Sequence, residues 1–355
     1  MGKKVFALNP GSTSTKIAVF DDTNCIYEKT LRHSTEEINQ FETIFDQYEF
    51  RYNVIMEAFK ESGIELSELS AVVGRGGMFK PIPGGTYSVN DNMIDWVKRA
   101  PRGEHASNLG CVIAKSIADP LNIPSFIVDP VAVDEMADIA KITGMPDYPR
   151  DSLFHALNQK AVAKRYAKEV GVPYDKLNLI VAHLGGGVSV GMHEQGKVVD
   201  VNNALDGDGP MSPERSGTVP LGKLYKDIFA GKWTLDEVKK KNYGQGGLVA
   251  HLGTNNGLEV QKMIDAGDEK AEFIFEAFAY QVSKEIGGLA TIPNGKVDAI
   301  LLTGGIAYNK LFTSWIEERV SFIAPVKVYG GEDELEALVE GALRVLNNEE
   351  EAQVY

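Results

Sequence analysis

LNPGSTSTKIAVFDD, residues 8–22, sets a polar turn between two apolar runs, VFAL at 5–8 and IAVF at 17–20. Both runs are short, rich in β-branched or aromatic residues and bounded by turn formers, so each reads as a buried strand and the segment as a hairpin. A hairpin tip needs little beyond Asn-Gly. Here Gly11 is followed by Ser12, Thr13, Ser14, Thr15 and Lys16, more polar chemistry than the turn requires. Such a loop either meets only water or aims backbone N–H groups, hydroxyls and one cation at a bound anion.

Outward from the hairpin, strands are expected at 4–9, 15–21 and 25–32, a long helix from 36 to 62, a strand at 69–74, helices at 90–99 and 105–118, and a strand at 125–128. After a helix over 151–171 the order restarts with three strands, NLIVAHL, VSVGMHE and KVVDVNN, whose first turn is again glycine-rich (Gly185, Gly186, Gly187). A strand at 297–305, a helix at 309–319, a strand at 326–329 and a helix at 333–347 close the chain. The restart implies duplication. The expected fold is α/β, two βββαβαβα copies whose hairpin tips face one another across a nucleotide cleft. The acidic tail NNEEEAQVY is expected to fray.

With 355 residues, 43% of them hydrophobic, the chain is long enough for two domains. They are assigned as 1–150 plus 330–355, and 151–329. No run of 18 apolar residues occurs and the N-terminus enters a strand directly, so a soluble, cytoplasmic protein is expected. Cys25 and Cys111 have no metal-type spacing and read as reduced core residues. A net charge of -14 argues against nucleic acid or an anionic membrane as partner. A third glycine-rich element, LLTGGIAYN, runs from an apolar strand toward a helix, a context in which backbone approaches a nucleotide closely. None of the three turns is a Walker A or GxGxxG sequence.

LNPGSTSTK, VGRGG, GEHASNLG, SLFHALNQK, AHLGGG, SPERSG and LTGGIA, in this order along nearly the whole chain, resemble the acetate and butyrate kinase family within the sugar kinase, Hsp70 and actin superfamily. FHALNQK and DVNNALDGDGP resemble its butyrate kinase branch. The resemblance implies a duplicated RNase H-like fold and reversible transfer of the γ-phosphoryl group of Mg·ATP to a short carboxylate such as butanoate. It implies phosphate contacts at Asn9, Gly11, Ser12, Ser14 and Lys16, and further nucleotide contacts at His183, Gly185, Gly186, Gly187, Gly304, Gly305 and Asn309. Arg75 matches the family's carboxylate-binding arginine and Arg215 its second active-site arginine. Two guanidinium groups suit a reaction in which a carboxylate, a triphosphate and a transition state with spread negative charge share one site.

Asp129 matches the family's active-site aspartate. A carboxylic acid is already ionised at neutral pH and offers no proton to a base, so Asp129 is assigned to Mg2+, through water, and to orienting an arginine. His155 matches the histidine that hydrogen-bonds the phosphoryl in flight. Asn9 and Glu334 complete the metal set, with Asp333 an alternative to Glu334. Two departures stand out: Gln159 where acetate kinases carry a second histidine, and Asn255-Asn256-Gly257-Leu258 where the family tends to read S-D-x-R near the adenosine. Gly76 and Gly77 replace two valines, which implies room for a longer acyl chain beside Gly77, Phe154 and Met78 or Phe79. Butanoate is expected, with propionate and branched acids as alternatives. A homodimer or higher homo-oligomer is implied by the family. An ATP-hydrolysing assembly protein of the actin or Hsp70 type is the rival from another class, and would need neither paired arginines nor an acyl site.

Overall fold

The computed structural model describes residues 2–205 and 207–355, so Asp206 of DVNNALDGDGP lies outside the described residues. Among the described residues there are twelve strands: β1 (Lys4–Pro10), β2 (Ser14–Asp21), β3 (Asn24–Arg32), β4 (Leu69–Arg75), β5 (Thr86–Ser88), β6 (Ser125–Val128), β7 (Asn178–Leu184), β8 (Val188–Glu194), β9 (Lys197–Val201), β10 (Ala299–Gly304), β11 (Val326–Gly330) and β12 (Gln353–Val354). The chain divides into two compact units, Met1–Val133 with Asp333–Tyr355, and Asp134–Glu332. Residues 134–150 thus go with the second unit instead of the first. Ala137 N–H donates to Val199 O at 2.9 Å, and Arg150 Nη1 to Asp200 Oδ1 at 2.8 Å, which fastens that segment there.

Duplication is written in the pairing. The first sheet runs β12-β5-β6-β4-β1-β2-β3 and the second β11-β10-β7-β8-β9. In each, the first three strands form an antiparallel meander and the next two add in parallel beside the first. Both meanders carry a bulge between second and third strands, at Val19/Phe20 and at Met192/His193. The two sheets therefore share the strand order third, second, first, fourth, fifth expected of RNase H-like copies, and β5 and β12 are additions to the first.

Each central strand is apolar on both faces because helices cover both. In the first unit Phe6, Leu8, Ile17 and Val19 pack with Ile55, Phe59, Leu109 and Ile113 of two helices, Tyr48–Glu61 and Asn108–Ala118. In the second, Ile180, Ala182, Ile300 and Leu302 meet Phe275, Phe278, Phe312 and Ile316 of helices Glu269–Leu289 and Lys310–Val320, while Leu179, Val181 and Leu301 meet Val162, Ala163 and Tyr166 of helix Ala156–Val170.

Four expectations change. The helix over 36–62 is two, Thr35–Ile38 and Tyr48–Glu61. Thr43 and Asp46 interrupt it, Thr43 N–H donating to Asp46 Oδ2 at 2.9 Å and Asp46 N–H to Thr43 Oγ1 at 3.2 Å, a reciprocal cap that starts a new turn. The helix expected from 151 begins at Ala156, because Leu153 O accepts Ala204 N–H at 2.9 Å and holds the preceding residues outside the helix. The tail does not fray: Gln353 and Val354 pair in parallel with Tyr87 and Ser88, and the Tyr355 ring lies 5.4 Å from Phe79. Cys25 is exposed on the edge strand β3, so only Cys111 is a core thiol, and burial pushes it up to about 12.

Candidate active site

The first hairpin closes where Gly11 N–H donates to Ser14 O at 2.7 Å. Asn9, at the end of β1, is 7% exposed, whereas Ser12 and Lys16 are exposed. Asn9 Nδ2 donates to Glu334 Oε2 at 2.5 Å, and Arg75 Nη1 donates to Asn9 Oδ1 at 3.3 Å. Arg75, the last residue of β4, also grips Glu334 with both ends of its fork, Nη1 to Oε2 and Nη2 to Oε1, each at 2.9 Å. Glu334 opens helix Glu334–Leu346, so its carboxylate sits where the helix dipole favours an anion. Three residues named from separate motifs thus meet in one cluster. Glu334 is the carboxylate that closes on Asn9 and Arg75, in place of the alternative at Asp333.

Sequence reading missed what holds this hairpin. Arg51, on helix Tyr48–Glu61, is fully buried, and its guanidinium donates to Gly11 O (2.9 Å), Ser12 O (3.1 Å), Thr15 Oγ1 (3.1 Å) and Gln47 Oε1 (3.0 Å). No carboxylate among the described residues pairs with it. Burial lowers it to about 10, so it stays charged at neutral pH. With the carbonyls of the turn and the Thr15 hydroxyl drawn toward Arg51, the exposed Ser12 and Thr13 keep their hydroxyls for other partners. The available signal was position: Tyr48, Arg51, Ile55 and Ala58 fall on one helical stripe, and only Arg51 breaks its apolar character.

Asp129 follows β6 with φ +36°, in the left-handed region that short polar side chains tolerate best. Gly85 straps it there: Gly85 N–H donates to Asp129 Oδ1 at 2.7 Å, and Asp129 N–H to Gly85 O at 3.0 Å. The glycines after Arg75 do not open a void. A Cβ on Gly76 would lie 2.5 Å from Pro130 Cβ, and one on Gly77 2.1 Å from Asn108 Oδ1, so those volumes are already filled by neighbours. Phe79 is a core residue packed with Tyr87, Met93 and Cys111. The argument for acyl room from Gly76 and Gly77 is therefore overturned. What Gly77 permits is close approach of the Arg75 segment to helix Asn108–Ala118, as does Gly74, whose Cβ would meet Gly110 O at 2.2 Å, while Gly76 permits close approach to Pro130.

In the second unit His155 precedes helix Ala156–Val170, and Phe154 beside it is 3% exposed. The His155 ring stacks on His183 with centroids 3.8 Å apart and planes 12° from parallel. His183 Nδ1 lies 2.7 Å from Asn158 Oδ1, and Nε2 lies 3.2 Å from Glu332 Oε1. The turn Gly185-Gly186-Gly187 closes through Gly185 N–H on Gly187 O at 3.0 Å, and Ser212 Oγ–H donates to Gly186 O at 2.7 Å. Arg215 lies against this turn. A Cβ on Gly187 would fall 1.8 Å from Arg215 Nη1.

Arg215 donates from Nη1 to Ala204 O and stacks over Tyr243 at 4.9 Å, while its buried Nε has no hydrogen-bond acceptor among the described residues. Burial lowers its pKa. An unsatisfied guanidinium donor is costly without a ligand, and an anion is the natural acceptor. Gly304 ends β10 with φ +91°, and a Cβ there would strike Leu184 backbone at 2.5 Å. Gly305 opens the 3-10 turn Gly305–Tyr308, so the helix starts only at Lys310. Asn309 caps that helix, accepting Phe312 N–H at 2.9 Å, and donates to Gln261 Oε1 at 2.8 Å. Its two polar ends are thus engaged in structure.

Mg2+ is implied by the resemblance, and the donor chemistry fits it: Asp129 and Glu334 carboxylates with the Asn9 amide, all hard oxygen donors, on strand or helix ends of one unit. Mg2+ commonly takes one or two carboxylates and leaves its other positions to water and substrate phosphates.

The protein is a phosphotransferase built on two copies of one fold, and comparison with known proteins gives the family. Residues 149–351 match the Acetokinase family, and the chain belongs to it. It is 58% identical over 355 residues to "Probable butyrate kinase" of Clostridium botulinum (strain Eklund 17B / Type B), covering 100% of both chains. It is also 58% identical over 352 residues to "Butyrate kinase 1" of Clostridium acetobutylicum, covering 99% of each. Porphyromonas gingivalis acetate kinase shares the fold, with a TM-score of 0.80 at 20% identity over 96% of this chain and 99% of that one. No helix among the described residues is long and apolar enough to cross a membrane.

Proposed function

We propose that this chain catalyses ATP + butanoate ⇌ ADP + butanoyl phosphate, by direct in-line transfer in the cytoplasm. The observation that carries the reading is the end-to-end likeness to relatives named as butyrate kinases. The butanoate carboxylate oxygen forms a bond to the γ-phosphorus as the bond to the β,γ-bridging oxygen breaks, and no proton moves. Arg75 anchors the carboxylate. Its bidentate grip on Glu334 supports this, since its planar fork suits a carboxylate, and butanoate would replace Glu334 in that grip, freeing Glu334 for Mg2+.

The hairpin residues Asn9, Gly11, Ser12, Ser14 and Lys16 face the phosphates. His183, the turn at 185–187 and the turn at Gly304 and Gly305 take the nucleotide, and Arg215 supplies donors to the equatorial oxygens through groups that include its unsatisfied Nε. His155 donates a hydrogen bond to the phosphoryl. Asp129, Glu334 and Asn9 would hold Mg2+, which neutralises phosphate charge when bound. Butanoate selectivity does not come from space at Gly76 or Gly77. Each methylene is worth about 0.8 kcal/mol of burial, so C3, C5 and branched acids should react more slowly without being excluded.

The test is hydroxamate trapping with ATP, Mg2+, hydroxylamine and acids from C2 to C6. A maximum at C4 is expected. ATP consumption without hydroxamate would instead support an assembly-type ATPase.

A further inference from the structure

The second unit contains a chain of buried polar side chains that the kinase reading leaves unexplained, and it runs through Gln159, the residue that stands where acetate kinases carry a second histidine. Its hydrogens can be assigned from one fixed point. Gln159 faces the backbone carbonyl of Ser189 at 3.0 Å, and a carbonyl only accepts, so the facing atom is the amide nitrogen Nε2. The same nitrogen gives its second hydrogen to Ser189 Oγ at 2.8 Å. The amide oxygen then points at His193 Nε2, 3.0 Å away, and that nitrogen must donate.

His193 is fully buried and held neutral, its pKa pushed well below the usual histidine value first by burial and then by the charges of Lys160 and Lys164. A neutral ring with its proton on Nε2 accepts at Nδ1, where the Tyr174 hydroxyl lies at 2.8 Å and donates. At the other end, Ser189 Oγ receives Gln159 Nε2–H at 2.8 Å and the His155 backbone N–H at 3.4 Å. Its two lone pairs are taken, so its own proton goes to His155 Nδ1 at 2.9 Å. Space for the amide is specific: a Cβ on Gly191 would sit 2.5 Å from Gln159 Oε1.

We propose that Tyr174, His193, Gln159 and Ser189 form a one-way hydrogen-bond relay that fixes His155 with its proton on Nε2, presenting that N–H as donor to the phosphoryl group. The inference rests on His155 being the phosphoryl's partner, but the tautomer can be read without turnover. Gln159, Ser189 and His193 are positioning residues. Gln159 suits this relay better than a second imidazole because an amide carries donor and acceptor on separate atoms and does not change charge near neutral pH. The direction of the relay is therefore set by a backbone carbonyl and does not titrate.

The experiment is a long-range nitrogen-proton correlation spectrum of the histidine rings in the full chain, with steady-state kinetics on the same samples. In the unaltered protein, His155 is expected protonated at Nε2 with Nδ1 shifted as a hydrogen-bonded acceptor. Gln159→Glu replaces the donor beside Ser189 by an acceptor, which turns the hydroxyl round and moves the His155 proton to Nδ1. Its kcat should fall about 10- to 100-fold while both KM values stay within about twofold. Ser189→Ala, for use if the first variant does not fold, should move the Nδ1 signal to that of an unbonded nitrogen and cut kcat about tenfold.

An Nδ1–H His155 in the unaltered protein, or variants that leave the ring signals in place, would overturn the relay. If the unaltered protein makes no butanoyl phosphate, the kinase reading fails while the spectrum still decides the relay.

Discussion

The two hairpin tips occupy the same place in two copies of one sheet and solve the same problem differently. Both begin with a glycine whose N–H closes the turn, on Ser14 O at 2.7 Å in the first and on Gly187 O at 3.0 Å in the second. Asn9 opposes Lys16 across the first meander, as His183 opposes Ser189 across the second. The first tip is stiffened from beneath by the buried Arg51, which binds the carbonyls of Gly11 and Ser12 and the Thr15 hydroxyl, while Ser12 and Thr13 are exposed. The second has no side chains of its own and lies against Arg215, whose guanidinium is held by Ala204 O and Tyr243. The two cations differ in what their donors meet: every donor contact of Arg51 is to a protein oxygen, whereas Arg215 keeps an Nε with no acceptor among the described residues, which is why the proposed reaction gives Arg215 the chemical role.

Substituting the glycines puts this contrast under the greatest strain. In Gly187→Ala the new methyl would enter the Arg215 guanidinium, and kcat should drop about a hundredfold, the scale of losing a preorganised donor. Gly11→Ala meets Ser14 alone, its O at 3.3 Å and its Oγ at 3.9 Å, and should stay within a few-fold of the parent. Equal losses in the two would mean that Arg215 is not the chemical cation. Next, Arg75→Leu should raise KM for butanoate at least about thirtyfold with a much smaller change for ATP, since a bidentate carboxylate anchor is removed. Parallel increases in both constants would place Arg75 elsewhere in the reaction.

Arg51→Met should act chiefly on stability. Removing the guanidinium leaves buried carbonyls unpaired, and urea unfolding should show a loss of about 2–3 kcal/mol. An unchanged midpoint would contradict the bracing role. The smallest effect concerns acid. His33, beside Thr15 in the first unit, and His193 in the second are both depressed below the ordinary histidine value, burial being the main cause in each. The unfolded chain therefore binds protons that the native rings refuse. Their contribution is full above about pH 6.5 and declines as the pH falls below it, so Tm should begin to drop there, ahead of the carboxylate range. A flat Tm between pH 7 and 5.5 would show that neither ring is buried neutral.

Much of the fold was legible because the strands of the two meanders are apolar runs with unmistakable turns between them, and because the pattern visibly restarts. Strands of two or three residues, β5 and β12, carry too little pattern to be seen, and a frayed tail was expected where one of them lies. The helix over 36–62 looked continuous since periodicity survives across Thr43 and Asp46, whose reciprocal cap is a matter of geometry. Asn9, Arg75 and Glu334 were found through motifs, and their meeting could not be read from spacing of 66 and 259 residues.

Gly76 and Gly77 teach the opposite lesson. A sequence reports that a side chain is missing but not what fills the gap, and Pro130 and Asn108 had filled it. Gln159 stood out as a departure, yet its use depends on a carbonyl that no sequence motif marks.

The strand at Gln353–Val354 has a further consequence. The first unit obtains an edge strand, and the helix bearing Glu334, only from residues that follow the second unit in the chain, whereas Asp134–Glu332 is continuous and is complete before them. Nascent chains should then mature in reverse of the usual N-terminal-first order, residues 134–332 folding before the first unit, which waits for residues 333–355 to be made. An affinity tag fused after Tyr355 would burden the very step on which that completion depends.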